Sequence, residues 1–180
     1  MMIFLGGVHG VGKTSMCSGV LERFGLQVIS ASDIIRAERA QPSSDSRTAV
    51  LNVGGNQELL VRGVQRIVVD IPERYLLDGH FALRTLAGNI EEIDADVFQA
   101  IGVSGLICLI DDPAAIAQRL SARDGEVHDV IAISQLQAAE LSAAEAVSRT
   151  LGLRLNVVQA FGSRAFEDCL RACQMRFSET

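Results

Sequence analysis

The residues best suited to chemistry stand near the start of the chain, in the stretch GGVHGVGKTS at residues 6–15. From Gly7 to Thr14 they follow the pattern G-x-x-x-x-G-K-T, directly after the apolar run 1–5. Glycines let a short loop curl so that its backbone N–H groups point inward, and a helix that begins where the loop ends adds a positive dipole. This pattern predicts a loop that holds phosphate oxygens.

Lys13 is the only lysine of the chain, since the other 15 of the 16 basic residues are arginine. A lysine ammonium is a compact charge on a flexible stem that can follow the β- and γ-phosphates of a nucleotide, whereas the planar arginine fork fits other geometry. We therefore assign Lys13 a catalytic role as an exposed loop residue and take the Thr14 hydroxyl as a ligand of Mg²⁺. The residues expected to bind the nucleotide are Gly7, His9, Gly10, Val11, Gly12, Lys13, Thr14 and Ser15. Two alternatives remain: a glycine-rich turn that matches the pattern by chance, and a His9 side chain that only packs or faces solvent.

A second polar group, Asp78-Gly79-His80, follows the apolar triplet at 75–77. A carboxylate at the end of a core strand beside a phosphate loop can hold Mg²⁺ through water, so Asp78 is a predicted metal ligand and catalytic residue. The alternative for Asp78 is a plain Asp-Gly turn. His80 either orients water or an acceptor phosphate, or is only hydrogen-bonded at the strand end. Asp112, which precedes Pro113, reads as the N-cap of a helix, and the alternative is a magnesium ligand.

Four arginines follow predicted strands, at the edge where open α/β sheets bind ligands. Arg36 lies one turn into a helix, and Arg84 comes after the DGH turn. Arg119 and Arg123 are four residues apart on one helix face that runs into a polar break. Phosphoryl transfer needs such cations, so we assign Arg36 and Arg84 to an acceptor phosphate and Arg119 and Arg123 to ATP and the transition state. The alternative for each is a solvated surface charge.

Short apolar strands alternate with helices along the chain. The predicted strands are 2–5, 27–30, 75–77, 106–110 and 153–158, and the predicted helices are 13–24, 33–40, 56–70, 113–123, 129–151 and 163–176. Ser32-Asp33 reads as a helix cap, residues 41–55 predict a mobile insertion, and residues 81–104 are ambiguous apart from one short helix. This alternation predicts one α/β domain of three layers, with a parallel sheet of about five strands and helices on both faces.

Composition excludes several classes of protein. The 180 residues suit one domain with a sizeable apolar core, and the net charge of −6 without a basic cluster gives no electrostatic footprint for nucleic acid. No apolar run approaches the roughly 20 residues that span a bilayer, and no signal peptide is visible. Four scattered cysteines without a CxxC pair indicate reduced thiols, so we expect a cytoplasmic protein.

On these motifs the chain resembles the P-loop nucleoside-monophosphate kinases, most closely the archaeal-type adenylate kinases and the nuclear adenylate kinase/ATPase branch. GVHGVGKTS is similar to their phosphate loop, VISASDIIR to the start of their monophosphate site, and LLDGH to their D-x-H motif. DDPAAIAQRLSARD is similar to the helix that leads into their lid. The resemblance covers most of the chain at the level of motif order.

The resemblance implies a P-loop kinase domain over residues 1–180 that uses ATP and Mg²⁺. It implies that Asp33 and Arg36 line an acceptor pocket within an insertion at about 32–70. It also implies a short lid at about 119–130 that carries Arg119 and Arg123. One departure concerns the acceptor, because Ala31 stands where many adenylate kinases have a threonine that contacts the acceptor nucleotide.

Together, these features predict Mg²⁺-dependent transfer of the γ-phosphoryl group of ATP to a small acceptor, above all a nucleoside monophosphate. Two alternatives stay open. An ATPase whose hydrolysis drives a protein partner, with His80 placing the water, would consume ATP without an acceptor. A small-metabolite kinase of the shikimate or gluconate sort would use a non-nucleotide acceptor.

Overall fold

A computed structural model of the chain describes residues 1–40, 53–70 and 74–175. The strands are β1 (Met2–Gly6), β2 (Leu26–Ser30), β3 (Arg74–Asp78), β4 (Ala82–Arg84), β5 (Ile90–Glu92), β6 (Val103–Ile110) and β7 (Leu155–Gln159). The helices are α1 (Lys13–Cys17), α2 (Val20–Phe24), α3 (Ala31–Ala40), α4 (Val53–Asp70), α5 (Ala95–Ala100), α6 (Pro113–Asp124), α7 (Val130–Leu151) and α8 (Ser163–Met175).

Five parallel strands form the main sheet, in the order β2-β3-β1-β6-β7. The central strand β1 aligns Leu5 with Asp78 of β3 and with Ile107 of β6. Every residue of β1 is buried, which explains why this strand reads as an unbroken apolar run. Because parallel strands end at the same edge, the loops after β1, β2, β3 and β6 open together there.

Side chains of β1 alternate between two apolar cores on opposite faces of the sheet. Phe4 packs edge-on against Phe81 and Phe98, at ring-centroid distances of 4.8 and 4.9 Å, in the core that α3, α4, α5 and α7 cover. Leu5 belongs to the other core, which α1, α2, α6 and α8 cover. The predicted three-layer α/β fold with a five-stranded parallel sheet is therefore confirmed.

The first predicted helix, at 13–24, is divided in the structure into α1 and α2, so the prediction of one continuous helix was wrong. Ser18 is extended, with φ −61° and ψ 127°, and Gly19 is left-handed, with φ 70°. The backbone thus leaves the helical conformation after Cys17 and re-enters it at Val20. Glycine adopts the left-handed conformation at no steric cost, which makes Gly19 the natural break point.

Helices α3 and α4 stand over the carboxyl end of β2. Helix α3 begins at Ala31, where the Ser30 hydroxyl accepts the Asp33 backbone N–H at 3.4 Å, so the predicted Ser32-Asp33 cap is wrong. Helix α4 begins at residue 53, inside the predicted insertion 41–55, and the rest of that prediction lies outside the described residues. The buried carboxylate of Glu38 on α3 pairs with Arg62 of α4 at 3.1 Å, which holds the two helices together.

An antiparallel hairpin, β4–β5, accounts for part of the segment 81–104 that the sequence left ambiguous. Ala82 aligns with Glu92 and Arg84 with Ile90. The Ile93 N–H donates to the Phe81 carbonyl at 2.8 Å, which closes the base of the hairpin. The short helix expected in this segment is α5.

The second half of the chain follows the predicted order of elements. Asp112 accepts the Ala114 N–H at 2.7 Å, which confirms it as the N-cap of α6. Helix α7 begins after Asp129, which accepts the Ile131 N–H, and ends at Gly152 in a left-handed turn. No helix among the described residues is both long enough and apolar enough to cross a bilayer.

Candidate active site

A cleft of about 740 Å³ opens at the carboxyl edge of the sheet. The loop after β1, the starts of α1 and α3, the loop after β3 and the end of α6 form its walls. The predicted site residues that line it are His9, Gly10, Gly12, Lys13, Thr14, Ser15, Arg36, Asp78, His80, Arg119 and Arg123. Gly7 and Val11 belong to the same loop but are buried beneath its surface. The structure thus assembles most of the expected residues around one space.

The phosphate loop needs glycine for steric as well as conformational reasons. Gly7 has φ +140°, and a Cβ atom there would lie 2.7 Å from the Leu109 carbonyl oxygen. Gly12 has φ +116°, and a Cβ atom there would lie 2.9 Å from the ring of Phe161. Both contacts are too close for a real side chain, so the loop tolerates only glycine at these two positions.

Lys13 is buried in this loop, with 8% of its surface exposed, so the expectation of an exposed lysine was wrong. Its ammonium donates to the carbonyl oxygens of Gly7 and Val8, the second at 3.4 Å, and lies 3.8 Å from the Asp78 carboxylate. Burial lowers the pKa of Lys13, although the charges of Asp78 and Glu140 oppose the change. The loop therefore curls around its own cation, in the space where phosphate oxygens would be bound.

Asp78 and Thr14 line the same cleft, and each has a side-chain oxygen that can bind a metal ion. Burial raises the pKa of Asp78, against the influence of Lys13 and His80. Among the described residues there is no cluster of three or more His, Cys, Asp or Glu side chains suited to a metal. One carboxylate and one hydroxyl nevertheless fit Mg²⁺, because this ion keeps several waters and takes its remaining ligands from phosphates.

Two histidines meet at the mouth of the phosphate loop, which the sequence did not predict. The rings of His9 and His80 lie 4.4 Å apart between centroids, tilted by 52°. Although part of the His9 ring stays in contact with solvent, the cleft walls desolvate it and, with His80, Lys13 and Arg123, lower its pKa to about 4. His9 is therefore neutral at physiological pH.

Behind His80 lies Glu140 of α7, a residue that the sequence reasoning missed. Its carboxylate is fully buried and accepts hydrogen bonds from His80 Nδ1 at 2.7 Å and from the Phe81 N–H at 2.6 Å. A weak signal was present, because Glu140 falls at helical spacing between Leu136 and Val147, on the apolar face of α7. A glutamate on such a face must have buried partners.

Arg36 lines the cleft on the α3 side, as predicted. It pairs with Asp33 at 2.9 Å, and both side chains are largely exposed, so this pair can exchange partners at little cost. Asp33 itself borders a second, smaller cavity and not the cleft. Arg39, one turn beyond Arg36, also lines the cleft and bonds to Asn56 of α4. No motif of the sequence singles out Arg39.

Arg84 is not brought to the cleft, which removes it from the expected acceptor site. Its guanidinium donates to the Gly88 carbonyl at 2.9 Å and to the Ala132 carbonyl at 3.2 Å. These bonds close the β4–β5 turn and tie the hairpin to the start of α7. The prediction assumed a chain that stays at the sheet edge after β3, whereas the hairpin carries Arg84 away.

Arg119 spans the phosphate loop from above. Its Nε donates to the Gly10 carbonyl at 3.0 Å, and its Nη2 lies 2.6 Å from the Asp111 carboxylate. Its guanidinium also lies over the ring of Phe161, 5.0 Å from the centroid. Phe161 has φ +64°, the one non-glycine residue of the described chain with positive φ. Asp111 and Phe161 are therefore neighbours of the site that sequence reasoning missed.

Arg123 lines the cleft one turn further along α6 and pairs with its neighbour Asp124 at 2.6 Å. Helix α6 continues to residue 124, and α7 begins at residue 130. The expected lid at about 119–130 is thus the last turn of α6 plus a short loop. Its function as a lid stays a prediction.

Three comparisons place this geometry among known proteins. A family model described as an AAA domain, AAA_17, matches residues 6–137. An adenylate kinase of Streptococcus mutans is 29% identical over 131 residues, which cover 68% of this chain and 60% of that enzyme. The match thus spans about three fifths of that relative's length.

Solved structures with the same fold include two kinases. A gluconokinase from Sinorhizobium meliloti superimposes with a TM-score of 0.59 at 14% identity, over 99% of this chain and 97% of that one. A sugar kinase from a Janibacter species superimposes with a TM-score of 0.55 at 18% identity, over 94% and 92% of the two chains. At these identities the likeness shows the fold alone. The narrower resemblance to archaeal-type and nuclear adenylate kinases stays a prediction.

Proposed function

The chain belongs to the AAA-domain family AAA_17, and from this premise we propose that it transfers the γ-phosphoryl group of ATP to a nucleoside monophosphate. The observation that supports this proposal is a single cleft with two different halves. One half is the phosphate loop with its buried Lys13, and the other combines an apolar wall with the cations Arg36 and Arg39. Such a cleft fits a polyphosphate on one side and a small anionic acceptor with an apolar body on the other.

On the donor side, the loop backbone and Lys13 would hold the β- and γ-phosphates. Incoming phosphate oxygens would replace the carbonyls of Gly7 and Val8 as partners of the ammonium. Arg119 and Arg123 would face the charge that develops during transfer, since both line the cleft beside the loop. Thr14 and Asp78 would hold Mg²⁺, which supplies further neutralisation of phosphate charge when it is bound.

On the acceptor side, part of the cleft wall is apolar, beside the polar side chains of Ser30, Ser32, Asn56 and Gln57. The side chains that form the apolar part are Ile35, Leu60, Leu83, Ile93, Val97 and Phe98. A flat nucleobase buries apolar surface on such a wall, which is favourable in proportion to the area removed from water. A sugar acid instead carries hydroxyls that need hydrogen-bonding partners when they are buried. The apolar part of the wall therefore supports a nucleotide acceptor, whose base it would contact.

The adenylate kinase of Streptococcus mutans gives independent support for the same acceptor class, because its name states a nucleotide acceptor. The gluconokinase and the sugar kinase share only the fold with this chain, so their acceptors are weaker support for a choice of acceptor here. The runner-up is accordingly a small-metabolite kinase with a hydroxyl acceptor.

The test is ATP consumption by the purified chain against a panel of nucleoside monophosphates, with gluconate and a sample without acceptor alongside. Products are identified by ³¹P NMR, so that a nucleoside diphosphate formed from the acceptor is distinguished from hydrolysis. The Lys13→Ala variant, purified in the same way, controls for contaminating host kinases. Transfer to at least one monophosphate by the wild type, and not by the variant, is the expected result. Transfer to gluconate alone would overturn the proposal.

A further inference from the structure

Glu140 is the most deeply buried acidic side chain among the described residues, with no exposed surface, and the proposed transfer reaction does not use it. It stands in α7 among small apolar neighbours such as Ala143 and Ala144. An ionised carboxylate in such surroundings is costly unless hydrogen bonds compensate for the lost water. The hydrogen bonds that stabilise Glu140 come from residues 80–82, which follow β3.

The two oxygens of Glu140 divide between two tasks. Oε2 accepts the backbone N–H groups of Phe81 and Ala82, at 2.6 and 3.3 Å, and so fixes the start of the hairpin. Oε1 is 2.7 Å from Nδ1 of His80. An ionised Glu140 only accepts hydrogen bonds, so Nδ1 is then the donor. In neutral His80 the proton therefore resides on Nδ1, and Nε2 carries a free lone pair.

His80 is held at the reacting end of the cleft. It lines the cleft together with Lys13, Thr14 and Asp78, and its ring is packed against His9. Since Nδ1 is committed to Glu140, Nε2 is the ring nitrogen left to meet a bound molecule. A lone pair accepts a hydrogen bond from an O–H group.

We propose that Glu140 is a positioning residue that fixes His80 in the Nδ1–H form, so that Nε2 orients an O–H nucleophile, water or a hydroxyl, towards the γ-phosphate of ATP. The nucleophile's oxygen bonds to the γ-phosphorus, and the bond from that phosphorus to the bridging oxygen breaks, with its electron pair leaving on ADP. The O–H proton that is hydrogen-bonded to Nε2 passes by way of that nitrogen to an oxygen of the transferred group. ATP as donor rests on the proposed function, whereas the nucleophile goes beyond it, because the attacking oxygen of a nucleoside monophosphate is mostly ionised at neutral pH.

The first test reads the tautomer directly and needs no turnover. In ¹⁵N-labelled protein at neutral pH, long-range ¹H–¹⁵N spectra distinguish Nδ1–H from Nε2–H imidazole. We expect Nδ1–H for His80 in the wild type. In Glu140→Gln the amide NH₂ can donate to the ring, so His80 should change to the Nε2–H form. Glu145→Gln, an exposed position on the same helix, is the matched control and should leave the tautomer as it is.

The second test compares nucleophiles in the same variants. ATP turnover is measured without acceptor, with gluconate or a nucleoside as a hydroxyl source, and with a monophosphate. Glu140→Gln should lower the rate with the O–H nucleophile about tenfold more than the rate with the monophosphate, the loss expected for one oriented hydrogen bond. A selective loss in the assay without acceptor identifies water as the nucleophile, and a selective loss with gluconate or the nucleoside identifies a hydroxyl group. His80→Gln should shift the ratio in the same direction and replaces Glu140→Gln if that variant does not fold.

The outcomes separate this proposal from the monophosphate kinase. If the wild type phosphorylates no monophosphate, the proposed function fails. The tautomer of His80 and the rate of ATP hydrolysis without acceptor then still test the role of Glu140. A wild-type His80 that is Nε2–H or doubly protonated would overturn the role. Equal losses with every nucleophile in Glu140→Gln would also overturn it, since they would mean that Glu140 only stabilises the hairpin.

Discussion

Lys13 and Asp78 face each other at the carboxyl ends of neighbouring strands, with 3.8 Å between the ammonium nitrogen and a carboxylate oxygen. The register of β1 with β3 sets this relationship, because Leu5 aligns with Asp78 and the phosphate loop starts two residues later, at Gly7. Burial lowers the pKa of Lys13 and raises that of Asp78, so each charge is the other's compensation while phosphate is absent. A phosphate bound in the loop would contact the same cation.

The first prediction concerns the identity of the cation. Lys13→Arg should lose transfer activity by roughly 10²-fold or more, because the loop is closed around a linear side chain and the bulkier guanidinium fork cannot occupy the same place. Steady-state ATP turnover checks this, with urea unfolding as the test that the variant folds. Arg171→Lys, at an exposed ion pair on α8, is the matched control for the exchange of these residue types. Wild-type turnover in Lys13→Arg would rule out the assigned role.

The second prediction concerns Asp78. Asp78→Asn should lower turnover and raise the Mg²⁺ concentration needed for half-maximal rate, because an amide is a poorer ligand for a hard cation than a carboxylate. Nucleotide binding without metal should persist, since Asp78 would not contact the phosphates. A Mg²⁺ titration of the rate provides the measurement, and Asp168→Asn on α8 is the control. An unchanged Mg²⁺ requirement would show that Asp78 only forms an Asp-Gly turn and holds no metal.

The phosphate loop and the parallel sheet could be predicted from the sequence because each has a strong local cause. Buried parallel strands are apolar throughout, and the loop pattern fixes glycine and lysine at set distances. The hairpin could not be predicted in the same way. Strands β4 and β5 have three residues each, too few for an alternation of apolar and polar positions to stand out.

Site residues were predictable where they follow a strand, and not where a distant element supplies them. Glu140 comes from helix α7, far along the chain, and reaches the site only through tertiary packing, whereas Arg39 lies on the same helix as Arg36 and belongs to no motif. Arg84 shows the opposite error, since it follows β3 closely in sequence yet turns away with the hairpin. The burial of Lys13 depends on how the loop closes, and a pattern of residue types does not contain that information.

The third prediction separates the two halves of the cleft. Arg36→Ala should raise the acceptor KM and leave ATP affinity nearly intact, whereas Arg119→Ala should lower kcat with every acceptor. A lost charge-assisted phosphate contact costs about 1.5–3 kcal/mol, so kcat/KM should fall roughly tenfold or more. Kinetics with both substrates varied provide the measurement, with Arg171→Ala as the control. The same kinetic change in both variants would contradict the assignment of separate halves.

The fourth prediction follows from the position of Arg84. Arg84→Ala should leave the acceptor KM unchanged but lower the free energy of unfolding by about 1 kcal/mol, because two hydrogen bonds to backbone carbonyls are lost at an exposed site. Urea unfolding and acceptor kinetics on the same preparation check both parts. A raised acceptor KM without loss of stability would return Arg84 to the acceptor site.

The last prediction uses the pKa of His9, which the cleft lowers from 6.5 to about 4. In the unfolded chain His9 takes up a proton at higher pH than in the folded protein. The stability that neutral His9 contributes is therefore fully present above pH 6.5 and is lost as the pH falls from 6.5 towards 4. Urea unfolding of the wild type and His9→Asn across this window measures the effect, since the other groups titrate in both proteins. The free energy of unfolding of the wild type should fall more steeply with decreasing pH than that of the variant. The difference between the two proteins should be smaller than for a fully buried histidine, because part of the His9 ring meets solvent. Parallel pH dependences in the two proteins would show that His9 keeps its ordinary pKa.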